Sequence, residues 1–476
     1  MDKFIVSHKR DELEKQAIEA NTVIFGNRSF RDKQLEVILS VLEKKDTFVV
    51  MPTGGGKTLC YTLPAVLSKG LTIVITPLLS LMEDQVSKLI TLNNCGGIPA
   101  AYLSSTCTAS QITDVMTELR RAFHYGQEPF LKLLYLTPER LLHTNTVKEI
   151  IDHLYQNEFL ARIVIDEAHC VSSWGHDFRK DYQALNYFKE KYPDVPILAL
   201  TATARSKVIK DTCKILKIEN CALINSGFDR PNLIFEVRPK KKKSEDTLQE
   251  IVQYIKTNHR NDTGIIYCMT QKDCESTSDY LRDNGLQTCD YYHAGQSKGD
   301  RKMIQSAWSN GSLKVICATI AYGMGIDKPN VRFVIHLSLA KSLEGYYQEA
   351  GRAGRDGNMS KCIIYYRKED VSKLAKIMKM PMKGKKKSAK DKDKDLLQEM
   401  QNYCEETATC RREIFASYFV DPDKKRVSFN CKNHLCDNCR NNSNAKSNRN
   451  TLTLQENKKR RREDIDEEVE WIDSKK

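Results

Sequence analysis

Short apolar runs alternate with amphipathic stretches along most of this chain, and the alternation occurs twice. The first set of predicted strands covers residues 48–51, 71–75, 131–136, 162–165 and 197–200. The second covers 264–268, 313–317, 333–335 and 362–365. Helices fit between them; residues 30–42 carry apolar side chains at helical spacing. Strands alternating with helices predict parallel α/β layers, here in two halves. The join is placed at Pro239-Lys240-Lys241-Lys242-Lys243-Ser244, a lysine run that reads as an exposed linker or loop. A second break at 382–395 is charged, has no apolar stripe and is expected to be mobile. The expected organisation is an N-terminal extension (1–21), a first domain (22–237), a second (238–381), the charged linker, a short module (396–442) and a disordered charged tail (443–476).

A length of 476 residues suits roughly three domains at the usual 100–200 residues each. The net charge of +13 suits a polyanionic partner such as nucleic acid. No apolar run approaches the roughly 18 residues that span a bilayer, and the first residues are too charged for a signal peptide. The expectation is a soluble intracellular protein with no membrane partner. The basic run at 458–462 reads as a nuclear import signal or as a solvated charge run. In a reducing compartment the 16 cysteines are not a disulfide framework. Most, such as Cys60, Cys268 and Cys317, lie in apolar stretches as small core residues.

Three motifs carry chemistry. Met51-Pro52-Thr53-Gly54-Gly55-Gly56-Lys57-Thr58 follows the apolar run Thr47-Phe48-Val49-Val50. Bare glycine amides can point at phosphate oxygens where a side chain would block approach, and a helix starting here adds its positive end. Lys57 would reach the β and γ phosphates of ATP, and the Thr58 hydroxyl would take one Mg²⁺ position. Met51 stands where such loops usually carry their first glycine. Asp166-Glu167-Ala168-His169 follows the strand Ile163-Val164-Ile165. Asp166 is the expected Mg²⁺ partner, through water, and Glu167 can orient or deprotonate the attacking water. Gln348-Glu349-Ala350-Gly351-Arg352-Ala353-Gly354-Arg355-Asp356-Gly357 supplies two arginines for the developing charge of phosphoryl transfer. They lie in the second half, so they would reach ATP only when the halves close, which is the basis of a motor. Separately, Cys410, Cys431, Cys436 and Cys439 are spaced Cys-x20-Cys-x4-Cys-x2-Cys, a set that can hold Zn²⁺ tetrahedrally. His434 could substitute for one ligand, and Cys404 is a nearby spare. In a module with little core, metal binding would supply folding energy.

Through these motifs the chain resembles the RecQ family of superfamily 2 DNA helicases, most like the short eukaryotic RecQ-like-1 type. The resemblance runs from Phe25 to Cys439. Besides the motifs above it rests on Phe30-Arg31-Asp32-Lys33-Gln34, Thr76-Pro77-Leu78-Leu79-Ser80-Leu81-Met82-Glu83-Asp84-Gln85 and Trp174-Gly175-His176-Asp177-Phe178-Arg179. Thr201-Ala202-Thr203-Ala204, Phe228-Asp229-Arg230-Pro231-Asn232-Leu233, Tyr292-His293-Ala294-Gly295 and Gly323-Met324-Gly325-Ile326-Asp327-Lys328-Pro329 complete it. It implies two tandem RecA-like parallel-sheet α/β domains followed by a small zinc-binding subdomain. It implies that Arg31 and Gln34 read adenine, beside a nucleotide site formed by Thr53, Gly54, Gly55, Gly56, Lys57 and Thr58, with Asp327 at the ribose. Many relatives have an adenine-stacking aromatic where this chain has Asn27.

Trp174, His176, Phe178 and Arg179 would form an aromatic-rich loop that couples single-stranded DNA to hydrolysis; an aromatic face stacks on any base. Thr201 and Thr203 would link nucleotide state to DNA grip, and Arg355 would be the arginine finger with Arg352 assisting. The implied activity is ATP-dependent 3′ to 5′ translocation on single-stranded DNA and unwinding of duplexes, forks included, in the nucleus, with ATP, Mg²⁺ and Zn²⁺. An RNA helicase and a non-catalytic DNA-binding or strand-annealing protein are the alternatives. Only 37 residues follow Cys439, too few and too polar for a winged-helix domain, so the strand-separating hairpin of such a domain is expected to be missing.

Overall fold

In the computed structural model, residues 2–77, 79–174, 178–319, 328–379, 387–419, 431 and 436–443 are described. The first lobe holds β1 (Thr47–Val50), β2 (Leu71–Ile75), β3 (Ala100–Leu103), β4 (Leu133–Leu136), β5 (Leu160–Ile165), β6 (Ile197–Thr201) and β7 (Ala222–Asn225). They form one parallel sheet in the order β3-β4-β2-β5-β6-β1-β7. The second lobe holds β8 (Leu233–Pro239), β9 (Thr263–Tyr267), β10 (Cys289–Tyr292), β11 (Val315–Ala318), β12 (Val331–His336) and β13 (Ser360–Tyr366). These are also parallel, in the order β10-β11-β9-β12-β13-β8. Two α/β lobes are therefore present, as the periodicity predicts, and a cysteine cluster follows them.

Alternation along each strand sends neighbouring side chains to opposite faces, and both faces are apolar, as in sheets covered by helices on both sides. In the first lobe Phe48, Ile73 and Ile163 join one cluster, while Val49, Val74 and Val164 join the other. In the second lobe Phe235, Ile265 and Ile364 line one face, and Ile266, Phe333 and Ile363 the other. The helices Lys387–Glu405 and Arg411–Phe419 continue the first of these faces: Phe415 packs on Phe235 at 5.0 Å between ring centroids, and Phe419 stacks on Phe228 at 4.5 Å.

Four expectations change. Strand β8 pairs with β13, so the chain crosses between lobes before residue 233, not at the lysine run. Lys240 itself is tied down, donating to Leu337 O at 2.6 Å and to Asp370 at 2.9 Å. The stretch 387–395, read as linker, is the start of helix Lys387–Glu405, and residues 382–386 lie outside the described residues. Of the expected N-terminal extension, residues 2–21 belong to helix Asp2–Val23, whose Ala17 and Ala20 are buried against Ile38 and Leu63. Of the expected helix at 30–42, only Gln34–Leu42 is helical, because Lys33 turns to a left-handed φ of 60°. Residues 444–476 lie outside the described set. Among the described residues no helix is long and apolar enough to cross a membrane.

Candidate active site

Parallel strands open their carboxyl ends on one edge, where ligands of such sheets bind. On that edge β1 leads into the glycine loop, β5 into Asp166, and β6, lying between them, ends at Thr201. Gly54 and Gly56 hold φ values of 83° and 88°, which a side chain would strain. A Cβ at Gly56 would collide with Gln34 Nε2, which instead donates to Gly56 O at 3.1 Å. Gly55 turns its N–H to Pro52 O at 2.9 Å, and a Cβ there would strike the Met51 side chain. Met51 is thus buried packing beneath the loop. Arg31 donates from Nη1 to Gly54 O, and its backbone N–H donates to Gln34 Oε1 at 2.7 Å.

Lys57 Nζ donates to Met51 O at 3.1 Å. Burial lowers its pKa, against the opposing pull of Glu167 and Asp166. Thr58 Oγ1 accepts from Gln85 Nε2 at 3.4 Å, and Gln85 is held by Tyr61 OH at 2.7 Å. Asp166 is buried; desolvation, with Glu167 beside it, lifts its carboxyl to about 7. Its Oδ1 accepts the Glu167 N–H at 3.0 Å. Glu167 has a φ of 52°, an uncommon backbone state that concentrates at functional sites.

From Glu167 a polar relay crosses to the other lobe. His169 Nδ1 lies 3.3 Å from Glu167 Oε2 and 3.0 Å from Thr201 Oγ1. Thr201 Oγ1 donates to Thr203 O at 3.0 Å, and Gln348 Nε2 donates to Thr203 Oγ1 at 3.1 Å. Gln348 belongs to helix Leu343–Ala350 of the second lobe. Arg352 and Arg355 follow that helix and line the same cleft, of about 690 Å³, as Lys57, Thr58, Asp166 and Glu167. Arg31, Gln34, Thr53, Gly54, Gly56 and Asn27 line it too, with Phe25. A Cβ at Gly54 would lie 3.2 Å from Arg355 Cγ, so the arginine packs directly over the loop. Asp327 lies outside the described residues.

The sequence alone gives Arg230 no role, yet it is a clasp between the lobes. Its Nη1 donates to Thr53 O in the glycine loop, and its Nη2 donates to Ala353 O at 3.0 Å and Gly354 O at 2.9 Å. Nothing in composition marks it; its place in the Phe228-Asp229-Arg230-Pro231-Asn232-Leu233 segment is the one signal that could have. Gln85 and Gln348 likewise sit in recognisable motifs that by themselves give them no role.

Trp174 and Phe178 are 50% and 42% exposed, unusual for large aromatics and suited to stacking on bases rather than to the core. Lys207 Nζ lies 3.1 Å from the Trp174 ring centroid. Ser172 Oγ accepts from the Trp174 N–H at 3.1 Å and donates to Asp211 at 2.5 Å. Arg179 reaches back to Pro77 O at 3.4 Å. His176 lies outside the described residues.

Cys410, Cys431, Cys436 and Cys439 place their sulfurs within 4.8 Å of one another. A thiolate tetrahedron with metal–sulfur bonds of about 2.3 Å has edges of roughly 3.8 Å, so the four fit Zn²⁺. Cys436 Sγ also accepts the N–H groups of Arg411 and Cys439, both at 3.5 Å. His434 lies outside the described residues, and Cys404 stands apart, buried in the apolar core. Buried Arg411 donates to both oxygens of Asp437 at 2.9 Å, and Asp437 accepts the Val237 N–H of β8 at 2.9 Å. Arg440 adds a 2.8 Å ion pair to Glu236 of the same strand.

Two α/β lobes sharing a glycine-loop cleft define the class: a two-lobed helicase core. A DEAD/DEAH box helicase model matches residues 31–212, a helicase conserved C-terminal domain model matches 243–357, and a RecQ zinc-binding model matches 368–440. With these three in series and the relatives below, the chain belongs to the RecQ helicase family. It is 46% identical over 429 residues to ATP-dependent helicase SGS1 of Saccharomyces cerevisiae, covering 89% of this chain and 28% of that protein. It is 45% identical over 427 residues to RecQ-like DNA helicase BLM of Xenopus laevis, covering 89% and 30%. It is 42% identical over 416 residues to ATP-dependent DNA helicase Q1 of Rattus norvegicus, covering 87% and 63%. The chain therefore spans less than a third of the first two relatives, and these identities do not separate the subtypes. In fold it is similar to Mycobacterium smegmatis helicase Lhr bound to ssDNA and AMP-PNP, with TM-score 0.58 and 18% identity over 74% of this chain and 48% of that one. It is also similar to DUF1998 helicase MrfA bound to DNA and AMPPNP, with TM-score 0.60 and 18% identity over 75% and 51%.

Proposed function

We propose that this chain is the motor core of an ATP-dependent DNA helicase that moves 3′ to 5′ along single-stranded DNA and opens duplexes. The observation that carries this reading is one cleft lined from both sides, by Lys57, Asp166 and Glu167 of the first lobe and Arg352 and Arg355 of the second. Lys57 is placed to hold the terminal phosphates. Thr58 and Asp166 would hold Mg²⁺, which when bound neutralises phosphate charge. Glu167, fixed through its backbone and His169, orients the attacking water and takes its proton. Arg355 over the glycine loop stabilises the charge that develops on the transferred phosphoryl group, with Arg352 beside it. Because those arginines arrive with the second lobe, hydrolysis is tied to closure, and the His169–Thr201–Thr203–Gln348 relay carries the same state across the interface.

Trp174 and Phe178 offer the stacking surface for single-stranded DNA. The cysteine tetrad holds Zn²⁺ and thereby fixes the module against β8. Direction of travel, forked DNA as substrate, action in DNA repair, recombination or replication, and a nuclear location follow from family membership and belong to this proposal. The test is strand separation on forked, 3′-tailed and 5′-tailed duplexes with ATP and Mg²⁺, alongside Lys57→Ala. Opening of forked and 3′-tailed duplexes by the native chain alone is expected. Opening by Lys57→Ala, or ATPase stimulation by single-stranded RNA but not DNA, would overturn the reading.

A further inference from the structure

Arg205 stands at the entrance to helix Ser206–Leu216 of the first lobe, two residues after Thr203. Its Nε donates to Glu344 Oε1 at 3.0 Å, on helix Leu343–Ala350 of the second lobe. Its Nη1 and Nη2 donate to the two oxygens of Glu399 at 3.1 and 2.6 Å, on helix Lys387–Glu405. Tyr418 of helix Arg411–Phe419 covers the guanidinium: its ring centroid lies 3.9 Å from the Arg205 Cζ, and its hydroxyl donates to Glu399 at 3.0 Å. One planar cation thus touches both lobes and the cysteine-bearing module. A guanidinium suits this role, since its fork meets one carboxylate bidentately while a further N–H serves another.

The burial of Glu344 makes this contact consequential. Its side chain is 6% exposed, and Arg205 is its ion-pair partner. A buried carboxylate left without its cation is strongly destabilising, so the lobes cannot keep this packing once Arg205 is withdrawn. Helix Ser206–Leu216, which Arg205 opens, also meets the DNA-facing loop, through Lys207 over Trp174 and Asp211 against Ser172. Arg205 therefore lies between that loop, the Thr203–Gln348 contact and the cysteine module.

We propose that Arg205 is a positioning residue that latches the second lobe and the cysteine module onto the first, and so sets how readily Arg352 and Arg355 reach the phosphate loop. This deepens the helicase reading and rests on it. The first test needs no activity: small-angle X-ray scattering of the full zinc-loaded chain, native and Arg205→Ala. A shift to a larger radius of gyration in the variant is expected; an unchanged value overturns the latch. The second test is single-stranded-DNA-stimulated ATPase for Arg205→Ala, Arg205→Lys, Glu399→Ala and the Arg205→Ala/Glu399→Ala double variant. For Arg205→Ala, kcat is expected to fall roughly tenfold, the usual scale of coupling between sites. The KM for ATP should hold, because Lys57, Arg31 and Gln34 remain in place. Arg205→Lys should recover part of kcat, and the double variant should be no worse than Arg205→Ala. Single effects that multiply in the double variant would overturn the proposal. A native chain with no ATPase would instead defeat the helicase reading, and the scattering result would still decide the latch.

Discussion

Arg230→Ala gives the sharpest test of how the two halves of the cleft are joined. In the native chain one Arg230 nitrogen serves Thr53 O of the glycine loop and the other serves Ala353 O and Gly354 O beside Arg355, at 3.0 and 2.9 Å. Bonds to a charged donor contribute about 1.5–3 kcal/mol each net. The freed carbonyls face an open cleft and can rehydrate, so the whole set does not count in full. A loss of about 2–3 kcal/mol remains, equivalent to roughly 30–150-fold in rate. The loss falls on kcat, because Arg230 orients the arginine segment while Lys57, Gln34 and Arg31, the proposed nucleotide contacts, stay in place. The assay is steady-state ATPase at saturating single-stranded DNA, with a fluorescent nucleotide titration and a thermal melt as controls. Arg230→Lys, which presents a point charge in place of a fork, should fall between native and Ala. A kcat within about threefold of native in Arg230→Ala, or a rise in KM alone, would refute the argument.

Three further outcomes follow from the site. Trp174→Ala should keep basal ATPase while the DNA concentration for half-maximal stimulation rises roughly tenfold, from loss of about 1–3 kcal/mol of base stacking; unchanged stimulation would remove the loop from DNA coupling. Cys436→Ser, or zinc removal by a chelator, should raise hydrogen exchange in helix Arg411–Phe419 and at Val237, whose N–H is tied to Asp437; exchange unchanged at both would show that the metal does not hold this module. Asp166→Asn should abolish hydrolysis yet raise the melting temperature of the nucleotide-free chain at pH 8. The folded carboxyl sits at about 7 against an ordinary 3.8, so ionising it costs at most about 4 kcal/mol of stability. That cost grows as pH rises from 3.8 to 7 and is complete above 7, so the gain in Asp166→Asn should shrink as pH falls below 7. A gain independent of pH would place its origin elsewhere.

What the sequence reveals of this molecule depends on how completely each segment is buried. The nine strands read from apolar runs include the interior of both sheets, where every strand has neighbours on both sides and helices on both faces. The four that escaped, β3, β7, β8 and β10, are the four sheet edges. Edge strands are half-exposed: Tyr291 and Tyr292 of β10 are only partly buried, and Leu223 of β7 is 53% exposed, so their patterns are too mixed to stand out. Missing β8 also misplaced the crossing between lobes, since the conspicuous lysine run lies just beyond it. Local chemistry was legible for a related reason. Gly54, Gly56, Lys57, Asp166 and the cysteines are needed as residue types at set spacings, whatever the rest of the chain does. Arg230 and Arg205 act through carbonyls and carboxylates more than 100 positions away, at Gly354 and Glu344. An arginine in a loop carries no mark of such partners until both lobes are folded against each other. The closure on which the proposed motor depends is therefore the part of the design that composition and spacing conceal, and Arg230 and Arg205 are where substitution will expose it.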